Sequence, residues 1–266
     1  MMARRNVIAP AVARDETLAP GGLGRGPLYR EVKRRMTCSL RDGEWSQGHA
    51  LPSEAQLASR YGVSMGTVRK ALAELVAERV LVRHPGRGTF VANRDRDYML
   101  DAFFHIVDAQ GRKEFPQVDL SWFRAGQADA AAARHLGLRE GARVFCLQNV
   151  LRLQGAPVIL DRIQVSRAVM PDLDEADFRA RDQTIFGLYQ RLHGVTVTRL
   201  EEWIRARNAG GEIARTLGLK AGAAMLAIER VAYTYDDTPV EYRERYVNTA
   251  GHAYLNVLGM KKPSPR

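Results

Sequence analysis

The sequence has only two cysteines and no long apolar run, and each absence excludes a class of protein. Cys38 and Cys146 lie far apart in the chain, which argues against a disulfide framework and favours a reducing cytoplasm. No stretch of about 18 consecutive apolar residues occurs, so no transmembrane helix is predicted. The N-terminal segment 1–26 lacks the apolar stretch of a secretory signal. We therefore expect a cytoplasmic protein with no membrane attachment.

Motifs of catalysis and metal binding are also missing. The six histidines are not spaced as metal ligands, and no HExxH sequence, phosphate-binding P-loop or nucleophile elbow is recognised. GGLGRG at 21–26 resembles a nucleotide-binding glycine loop, but no predicted strand precedes it, so a flexible linker is the better interpretation. We therefore expect no metal, no cofactor and no catalytic residues.

Positive charge is concentrated at the N-terminal end of the chain. The 266 residues carry a formal net charge of +10. Residues 1–98 contain 17 Lys and Arg against 10 Asp and Glu, whereas residues 99–260 contain 20 of each. A basic domain attached to an electroneutral one is typical of proteins in which one domain contacts phosphates and the other does not. A moderately basic surface without a partner would give the same count.

Composition and periodicity divide the chain into five segments, and its length suits two domains. Residues 1–26 are rich in Ala, Gly, Pro and Arg without periodicity, which predicts a disordered tail. We expect one folded domain over 27–92, a charged linker over 93–100 and a second domain over 101–260. A basic tail, KKPSPR, follows at 261–266.

The segment LPSEAQLASRYGVSMGTVRKALAEL (51–75) has the pattern of two short helices joined by a tight turn. Ser53 and Gln56 have the spacing of a capping box, and Gly62 stands where a left-handed residue ends the first helix. Ser64 then caps the second helix. Four apolar residues of this helix recur at helical spacing and should face inward: Val68, Leu72, Leu75 and Val76.

The outer face of the second helix is free for a partner near its N-terminus. We predict that this face enters the DNA major groove, as in a helix-turn-helix. It carries Ser64, Met65, Gly66, Thr67, Arg69 and Lys70. Taken alone, the segment fits an amphipathic helical hairpin with a solvated polar face equally well.

A glycine-rich basic hairpin is predicted next. In VLVRHPGRGTFVA (80–92), two short apolar runs flank a turn. His84, Arg87 and Thr89 lie at or near its tip, where glycine lets the backbone approach a groove and arginine can bind phosphate. With a helix predicted from Pro27, these elements make a winged helix-turn-helix. This combination favours DNA binding over the helical hairpin.

The segments PLYREVKRRM, LPSEAQLASRYGVSMGTVRKALAEL and VRHPGRGTFV resemble the N-terminal domain of GntR-type bacterial transcription regulators. The resemblance implies operator contacts by residues that match the family pattern: Ser64, Thr67, Arg69, Gly86, Arg87 and Gly88. Ser53, His84 and Thr89, with the other residues of the helix face, complete the predicted DNA-contacting set. Met65 and Gly66 depart from the pattern, since the family usually has arginine at the first position. We therefore expect the usual binding mode but a different operator sequence.

The second domain contains an internal repeat. ARHLGLREGARVFCLQNV (133–150) matches ARTLGLKAGAAMLAIERV (214–231) at 8 of 18 positions. After one inserted residue, GAPVILDRIQV (155–165) matches DTPVEYRERYV (237–247). Each copy has the pattern of a helix end closed by glycine, a strand, a short hairpin and a returning strand. Segment 183–193, between the copies, is predicted to be helical, with four residues inward: Ile185, Leu188, Tyr189 and Leu192.

The segment PVILDRIQVSRAVMPDLDEADF (157–178) resembles the effector-binding domain of the HutC subfamily of GntR regulators, the UTRA domain. The resemblance implies a fold related to chorismate lyase, a small and often anionic ligand, and dimerisation. The expected fold class is α+β. An N-terminal winged helix-turn-helix is joined to a domain with a mixed, mainly antiparallel sheet.

Asp161 is the first candidate for ligand contact. In ILDRIQV it shares a strand face with Ile159, Ile163 and Val165, and a carboxylate on an apolar face is costly unless it is paired. Arg152, on the preceding strand, is the expected partner. The two would flank the ligand, with Arg152 binding its acid group. A structural ion pair at the rim of the sheet is the alternative.

Thr184 stands where the resemblance places a serine that opens a helix. Its hydroxyl and the helix N-terminus would form an anion site, or Thr184 is simply the N-cap. The repeat adds three candidates from the second copy: Glu241, Arg243 and Tyr246. Some members that respond to phosphosugars carry an R-x-R pair on the first strand. Val150 replaces the earlier arginine here, so a phosphosugar is not the expected ligand.

Together these features predict a homodimeric transcription regulator with double-stranded DNA and a small anionic effector as partners. We expect a repressor that a metabolite releases from a palindromic operator. The alternative is an enzyme of chorismate-lyase-like fold that acts on a small carboxylic acid, because the related fold includes a lyase. That alternative leaves the winged helix-turn-helix without a role.

Overall fold

The computed structural model describes residues 27–78, 80–92, 100, 102–181 and 184–257. They form two compact units, and the N-terminal one contains nearly all of the described residues up to Ala92. The expected tails, and the expected linker except for Leu100, lie outside the described residues. Within the described part of the chain, no helix is long and apolar enough to cross a membrane.

The N-terminal unit is a three-helix domain with a hairpin. Its elements are α1 (Leu28–Arg41), α2 (Glu54–Tyr61), α3 (Met65–Ala77), β1 (Leu81–His84) and β2 (Gly88–Val91). Three of the four inward residues predicted for α3, Val68, Leu72 and Leu75, are buried in its core with Met36 of α1 and Leu57 of α2. The fourth, Val76, is only half-buried. A bridge between Ala50 and Phe90 adds a short third strand to the hairpin. The predicted winged helix-turn-helix is confirmed.

Local capping sets the two helix starts and the turn between them. The Ser53 hydroxyl accepts from the Gln56 backbone N–H at 3.3 Å, and the Gln56 side chain accepts from the Ser53 backbone N–H at 2.8 Å. Gly62 ends α2 with φ +63°, in the left-handed region that favours glycine. The Ser64 hydroxyl accepts from the Thr67 N–H at 3.2 Å and starts α3. These contacts aim the N-terminus of α3 outward.

The C-terminal unit contains eight strands and four α-helices among its described residues. The strands are β3 (Ile106–Asp108), β4 (Gln117–Gln127), β5 (Arg143–Leu153), β6 (Ala156–Ser166), β7 (Arg199–Asn208), β8 (Ala224–Tyr233), β9 (Pro239–Val247) and β10 (His252–Tyr254). The helices are α4 (Ala130–Leu136), α5 (Glu175–Ala180), α6 (Ile185–His193) and α7 (Gly211–Thr216). A 3₁₀ turn, Tyr235–Asp237, precedes β9.

The internal repeat explains the topology of the main sheet. Its strand order is β4-β5-β6-β9-β8-β7, and all of its pairings are antiparallel. Each copy supplies a three-stranded meander with a helix before its middle strand, and the two copies meet where β6 pairs with β9. The predicted hairpins of both copies are therefore confirmed. A separate two-stranded sheet joins β3 to β10.

The core of this unit lies on both faces of the main sheet. On one face, α5 and α6 cover Leu147 and Ile163. On the other, α4 packs against Val144 and Tyr242. In α6, Leu188 and Tyr189 are buried as predicted. The expectation for Leu192 is wrong: it is 37% exposed, because the last turn of α6 extends beyond the buried cluster.

Candidate functional sites

The first candidate site is the exposed N-terminus of α3. Met65 is 43% exposed there, and Gly66 beside it leaves the backbone uncovered. Ser64 is exposed, but its hydroxyl is engaged in capping α3 and lies 2.9 Å from the Thr67 hydroxyl. Thr67 is half-buried. The surface therefore combines an apolar tip with helix N–H groups and hydroxyls.

Ser64 lies in GVSMG, which has the G-x-S-x-G spacing of a nucleophile elbow. An elbow joins a strand to a helix, whereas this serine joins α2 to α3. Its hydroxyl serves as a helix cap. The motif is therefore a helix-turn-helix feature rather than a catalytic one.

A shared carboxylate holds two arginines at this surface. Arg69 Nε donates to one oxygen of Glu54 at 2.6 Å, and Arg83 Nη2 donates to the other at 2.5 Å. Both arginines are more than half exposed. Sequence reasoning found Arg69 but missed Arg83, since only the folded hairpin brings β1 beside the start of α2.

Some of the other predicted DNA-contacting residues of the N-terminal unit pack against aromatic rings. The Lys70 ammonium lies 4.0 Å from the centre of the Tyr29 ring, a cation–π contact that draws this side chain towards α1. In the hairpin, His84 packs edge-on against Phe90, and Arg87 lies over the same ring. The glycines at the tip, Gly86 and Gly88, have φ of +72° and +111°. Ser53 is exposed, and Thr89 is half-buried on β2.

The second candidate site is a cavity of about 470 Å³ in the C-terminal unit. It opens on the face of the sheet that α5 and α6 cover. Aromatic and aliphatic side chains form much of its wall, and charged groups cross its floor. Five phenylalanines line it: Phe103, Phe104, Phe115, Phe178 and Phe186.

The floor of the cavity is a buried ion network around Asp161. Arg245 donates to both oxygens of this carboxylate at 2.8 Å, and Arg243 Nη1 donates to one of them at 2.8 Å. Arg243 also contacts Glu241, which accepts from the Tyr189 hydroxyl at 2.7 Å. Burial alone would raise the pKa of Asp161, but Arg245 and then Arg243 outweigh it and lower the pKa to about 2.

A second buried pair extends the floor onto β8. Arg230 Nε donates to Glu202 at 2.6 Å, and its Nη2 donates to the carbonyl oxygen of Phe103 at 3.2 Å. Glu202 also accepts from the Tyr254 hydroxyl. Burial raises the pKa of Glu202, but the charge of Arg230 and the hydroxyl of Tyr254 lower it overall. This pair ties β7, β8 and β10 together beneath the cavity.

Three of the six predicted ligand contacts line the cavity: Asp161, Thr184 and Arg243. The expected pair of Arg152 with Asp161 is wrong. Arg152 Nε instead donates to Asp119 at 2.8 Å, both groups are partly exposed, and Arg152 does not line the cavity. Asn149 stands opposite Asp161 and lines the cavity with Leu151, so alternation along β5 puts Arg152 on the other face of the sheet.

The other predictions fall close to the cavity or on the far face of the sheet. Thr184 caps α6, because its hydroxyl accepts from the Gly187 N–H at 3.1 Å, and it also lines the cavity. Glu241 lies behind the floor and supports Arg243. Tyr246 packs on Leu160 and Ala227, on the opposite face from Arg243. Its place in the ligand set is wrong, because residues an odd number apart in a strand face opposite ways.

The repeat contained a signal for the ion network. After the inserted residue, Asp161 of the first copy corresponds to Arg243 of the second, and these two counterparts bond to each other across the junction of β6 and β9. Arg245 follows two residues later on the same strand face. Sequence reasoning missed Arg245, Arg230, Asn149 and Arg181, all of which line the cavity.

Family comparison divides the chain at the same two units. Residues 28–91 match the family described as bacterial regulatory proteins, gntR family, and residues 109–252 match the UTRA domain. The histidine utilization repressor of Pseudomonas putida is 33% identical over 216 residues, which cover 80% of this chain and 85% of the relative. A fructoselysine utilization operon transcriptional repressor of Escherichia coli K12 is 27% identical, covering 82% of this chain and 89% of that one.

Solved structures agree with the fold. The ligand-binding domain of a GntR-family transcriptional regulator from Bordetella bronchiseptica is 28% identical and superposes with a TM-score of 0.55. It covers 58% of this chain and 96% of its own. YydK from Bacillus subtilis, at 17% identity and a TM-score of 0.53, covers 88% of this chain and supports the fold alone.

Proposed function

Because this chain belongs to the GntR family of transcription regulators and carries a UTRA domain, we propose that it is a metabolite-responsive repressor acting in the cytoplasm on a palindromic operator. The exposed N-terminus of α3 carries the proposal. It presents Met65 and Gly66 beside two arginines that Glu54 holds on the same surface. A helix N-terminus of this kind enters the major groove, and its first residues contact base edges.

Two copies of the chain would bind one operator. The C-terminal unit offers β7 as an edge strand of its sheet, with Trp203 36% and Ile204 44% exposed. Edge strands with exposed apolar side chains favour pairing with another chain. We therefore assign dimerisation to the C-terminal unit, and the dimer places two winged helices on the two half-sites of a palindrome.

The cavity in the C-terminal unit is the effector site of this proposal. Its closed floor and aromatic wall are typical of small-molecule sites. To release DNA, the effector must bind the DNA-free arrangement more tightly than the DNA-bound one, typically by about 1–3 kcal/mol of coupling free energy. Two relatives are named as repressors of histidine and fructoselysine utilization, which favours a nutrient or its breakdown product as effector.

Arg69→Ala tests the DNA surface. We expect weaker operator binding and a salt dependence that is shallower by about one ion, because each lost phosphate contact removes about 0.9 from the slope. Arg112→Ala is the matched control: Arg112 is similarly exposed and paired with Asp108, but it lies in the C-terminal unit. Fluorescence anisotropy over a salt series measures both variants. Equal slopes for Arg69→Ala and wild type would contradict the role of Arg69.

For Glu54→Gln we expect the opposite effect on DNA binding. The carboxylate neutralises Arg69 and Arg83 in the free protein, and a negative charge near phosphates repels DNA. Its removal should raise the affinity for random-sequence DNA and steepen the salt dependence by about one ion. Glu44→Gln, which removes a carboxylate paired with Arg60, is the control in the same titration. Weaker non-specific binding by Glu54→Gln would show that the carboxylate positions the arginines instead of restraining them.

A further inference from the structure

The first turn of α3 exposes a large apolar side chain that the core does not use. Met65 is the first residue of α3 and is 43% exposed, whereas Val68, one turn later, is fully buried. Methionine has no hydrogen-bond donor, and its thioether sulfur is only a weak acceptor. What Met65 can offer a partner is therefore an apolar contact.

The polar groups next to Met65 are bonded within the protein. The Ser64 hydroxyl accepts from the Thr67 N–H at 3.2 Å and lies 2.9 Å from the Thr67 hydroxyl. Arg69 Nε donates to Glu54 at 2.6 Å. These bonds fix the first turn of α3, while the unbranched, flexible side chain of Met65 can adjust to a surface that approaches it.

The fold has no need of a glycine at position 66. The backbone of Gly66 is helical and not in the left-handed region. Among the described residues, the nearest atom to a Cβ added there is Ser64 Oγ at 3.7 Å, an ordinary van der Waals distance. Alanine would also stabilise the helix. Because nothing inside the protein needs this glycine, its missing side chain leaves room outside, where a partner can come close to the backbone.

The edges of the bases in the major groove offer one apolar group to such a surface. Guanine, adenine and cytosine present hydrogen-bond donors and acceptors there, whereas thymine also presents its C5 methyl group. An apolar side chain against the edge of guanine would cover two acceptors without giving them a donor, which is unfavourable. Against the thymine methyl group it buries apolar surface on both partners.

We propose that Met65 selects a thymine at one position of each operator half-site by packing against its C5 methyl group, and that Gly66 lets the helix backbone come close enough for this contact. The proposal rests on the proposed function, since it names the base that the N-terminus of α3 reads. The methyl group itself carries the preference, rather than the hydrogen-bonding groups of the base.

Deoxyuridine tests the methyl group alone, because it pairs with adenine as thymidine does and lacks only that group. The duplex is an inverted repeat selected from random sequence with the full-length protein. Its thymines are replaced by deoxyuridine at one position at a time, in both half-sites together. At one position, fluorescence anisotropy should show affinity falling by about 15-fold, which is about 4-fold for each methyl group that is no longer buried.

Variants of Met65 assign this loss to its side chain. Met65→Ala should bind the thymine and deoxyuridine duplexes equally, whereas Met65→Leu, which keeps a large apolar side chain, should still prefer thymine. Leu28→Ala is the matched control, because Leu28 is also the first residue of a helix, α1, and is also 43% exposed. This variant should discriminate between the two duplexes as strongly as wild type.

Gly66→Ala tests the close approach of the backbone. Its melting temperature without DNA should not fall, because alanine favours the helix, but its affinity for the thymine duplex should fall by about 10-fold or more, because the added methyl group overpacks the interface. Gly211→Ala is the matched control. Gly211 is an exposed first residue of α7, and a Cβ there would likewise meet its nearest atom, on Arg215, at 3.7 Å. It should bind DNA as wild type does.

Three results would overturn the inference: no effect of deoxyuridine at any position, a loss that Met65→Ala shows as strongly as wild type, or undiminished binding by Gly66→Ala. Each leaves the DNA-binding function standing, because the wild-type protein has then bound its selected duplex. A selection that enriches no sequence would instead contradict the proposed function, and the inference would fail with it.

Discussion

Asp161→Asn should lower the free energy of unfolding of the C-terminal unit by about 3–5 kcal/mol, the usual cost of removing one partner from a buried ion pair. Asp161 is fully buried, and its two oxygens accept three hydrogen bonds from Arg243 and Arg245. Asparagine keeps the shape but removes the charge and one acceptor. Both guanidinium groups then remain buried in the middle of the sheet: Arg243 keeps its contact with Glu241, and Arg245 loses the carboxylate with which it pairs.

Asp119→Asn is the matched control, because Asp119 also pairs with an arginine, but both groups are partly exposed. Exposed pairs contribute about 0–1 kcal/mol, so this variant should unfold close to wild type. Urea denaturation followed by circular dichroism measures all three proteins. Equal unfolding midpoints for Asp161→Asn and Asp119→Asn would contradict the account of the ion network.

The same carboxylate predicts a dependence on pH. Its folded pKa, about 2, lies below the value of about 3.9 in an unfolded chain. Its contribution to stability is complete above the unfolded value and is lost as the pH falls towards 2. Wild type should therefore lose stability between about pH 4 and 2 more steeply than Asp161→Asn. Parallel curves would show that this carboxylate is not coupled to folding.

The N-terminal unit alone, residues 27–92, should bind a palindromic operator about 10²–10⁴-fold more weakly than the full chain. It has its own buried core, which includes Met36, Leu57 and Val68, so it should fold. It lacks the sheet to which we assign dimerisation, and the second half-site contact is then no longer intramolecular. Fusion of this unit to an unrelated dimeric coiled coil should restore much of the affinity.

Sedimentation shows whether the full chain and the isolated unit are dimers or monomers. Anisotropy on one operator compares their DNA affinities. The account requires a dimer for the full chain and a monomer for the isolated unit. Equal operator affinity for the two proteins would contradict the assignment of dimerisation to the C-terminal unit.

The winged helix-turn-helix could be predicted from sequence because its determinants are local. The capping box at Ser53, the left-handed Gly62 and the apolar spacing of α3 each act over a few residues, and the structure contains all three. The internal repeat could also be recognised in the sequence, and it predicted both hairpins of the main sheet.

The convergence of charged groups in the cavity could not be predicted in the same way, because it depends on pairing between the copies. Nothing local in the sequence indicates that β6 pairs with β9, and only that pairing places Arg245 against Asp161. Arg181 reaches the cavity from the segment between α5 and α6. Such contacts depend on tertiary packing rather than on periodicity.

Two wrong expectations have physical causes of the same kind. Arg152 was chosen because it lies on the neighbouring strand, although it is three residues from Asn149, the residue opposite Asp161, and therefore faces the other way and bonds to Asp119. Tyr246 was chosen by its place in the repeat, although its position in the strand puts it opposite Arg243. Counting alternate residues from Asp161 through its partner strand would have selected Arg245 instead.

A random-sequence DNA selection with the purified full-length protein at low salt tests the central claim most directly, with Arg69→Ala run in parallel. The account predicts enrichment of an inverted repeat whose half-sites lie about one helical turn apart, binding that weakens steeply as salt rises, and little enrichment by the variant. Failure of the wild-type protein to enrich any sequence, or enrichment that Arg69→Ala leaves unchanged, would contradict it.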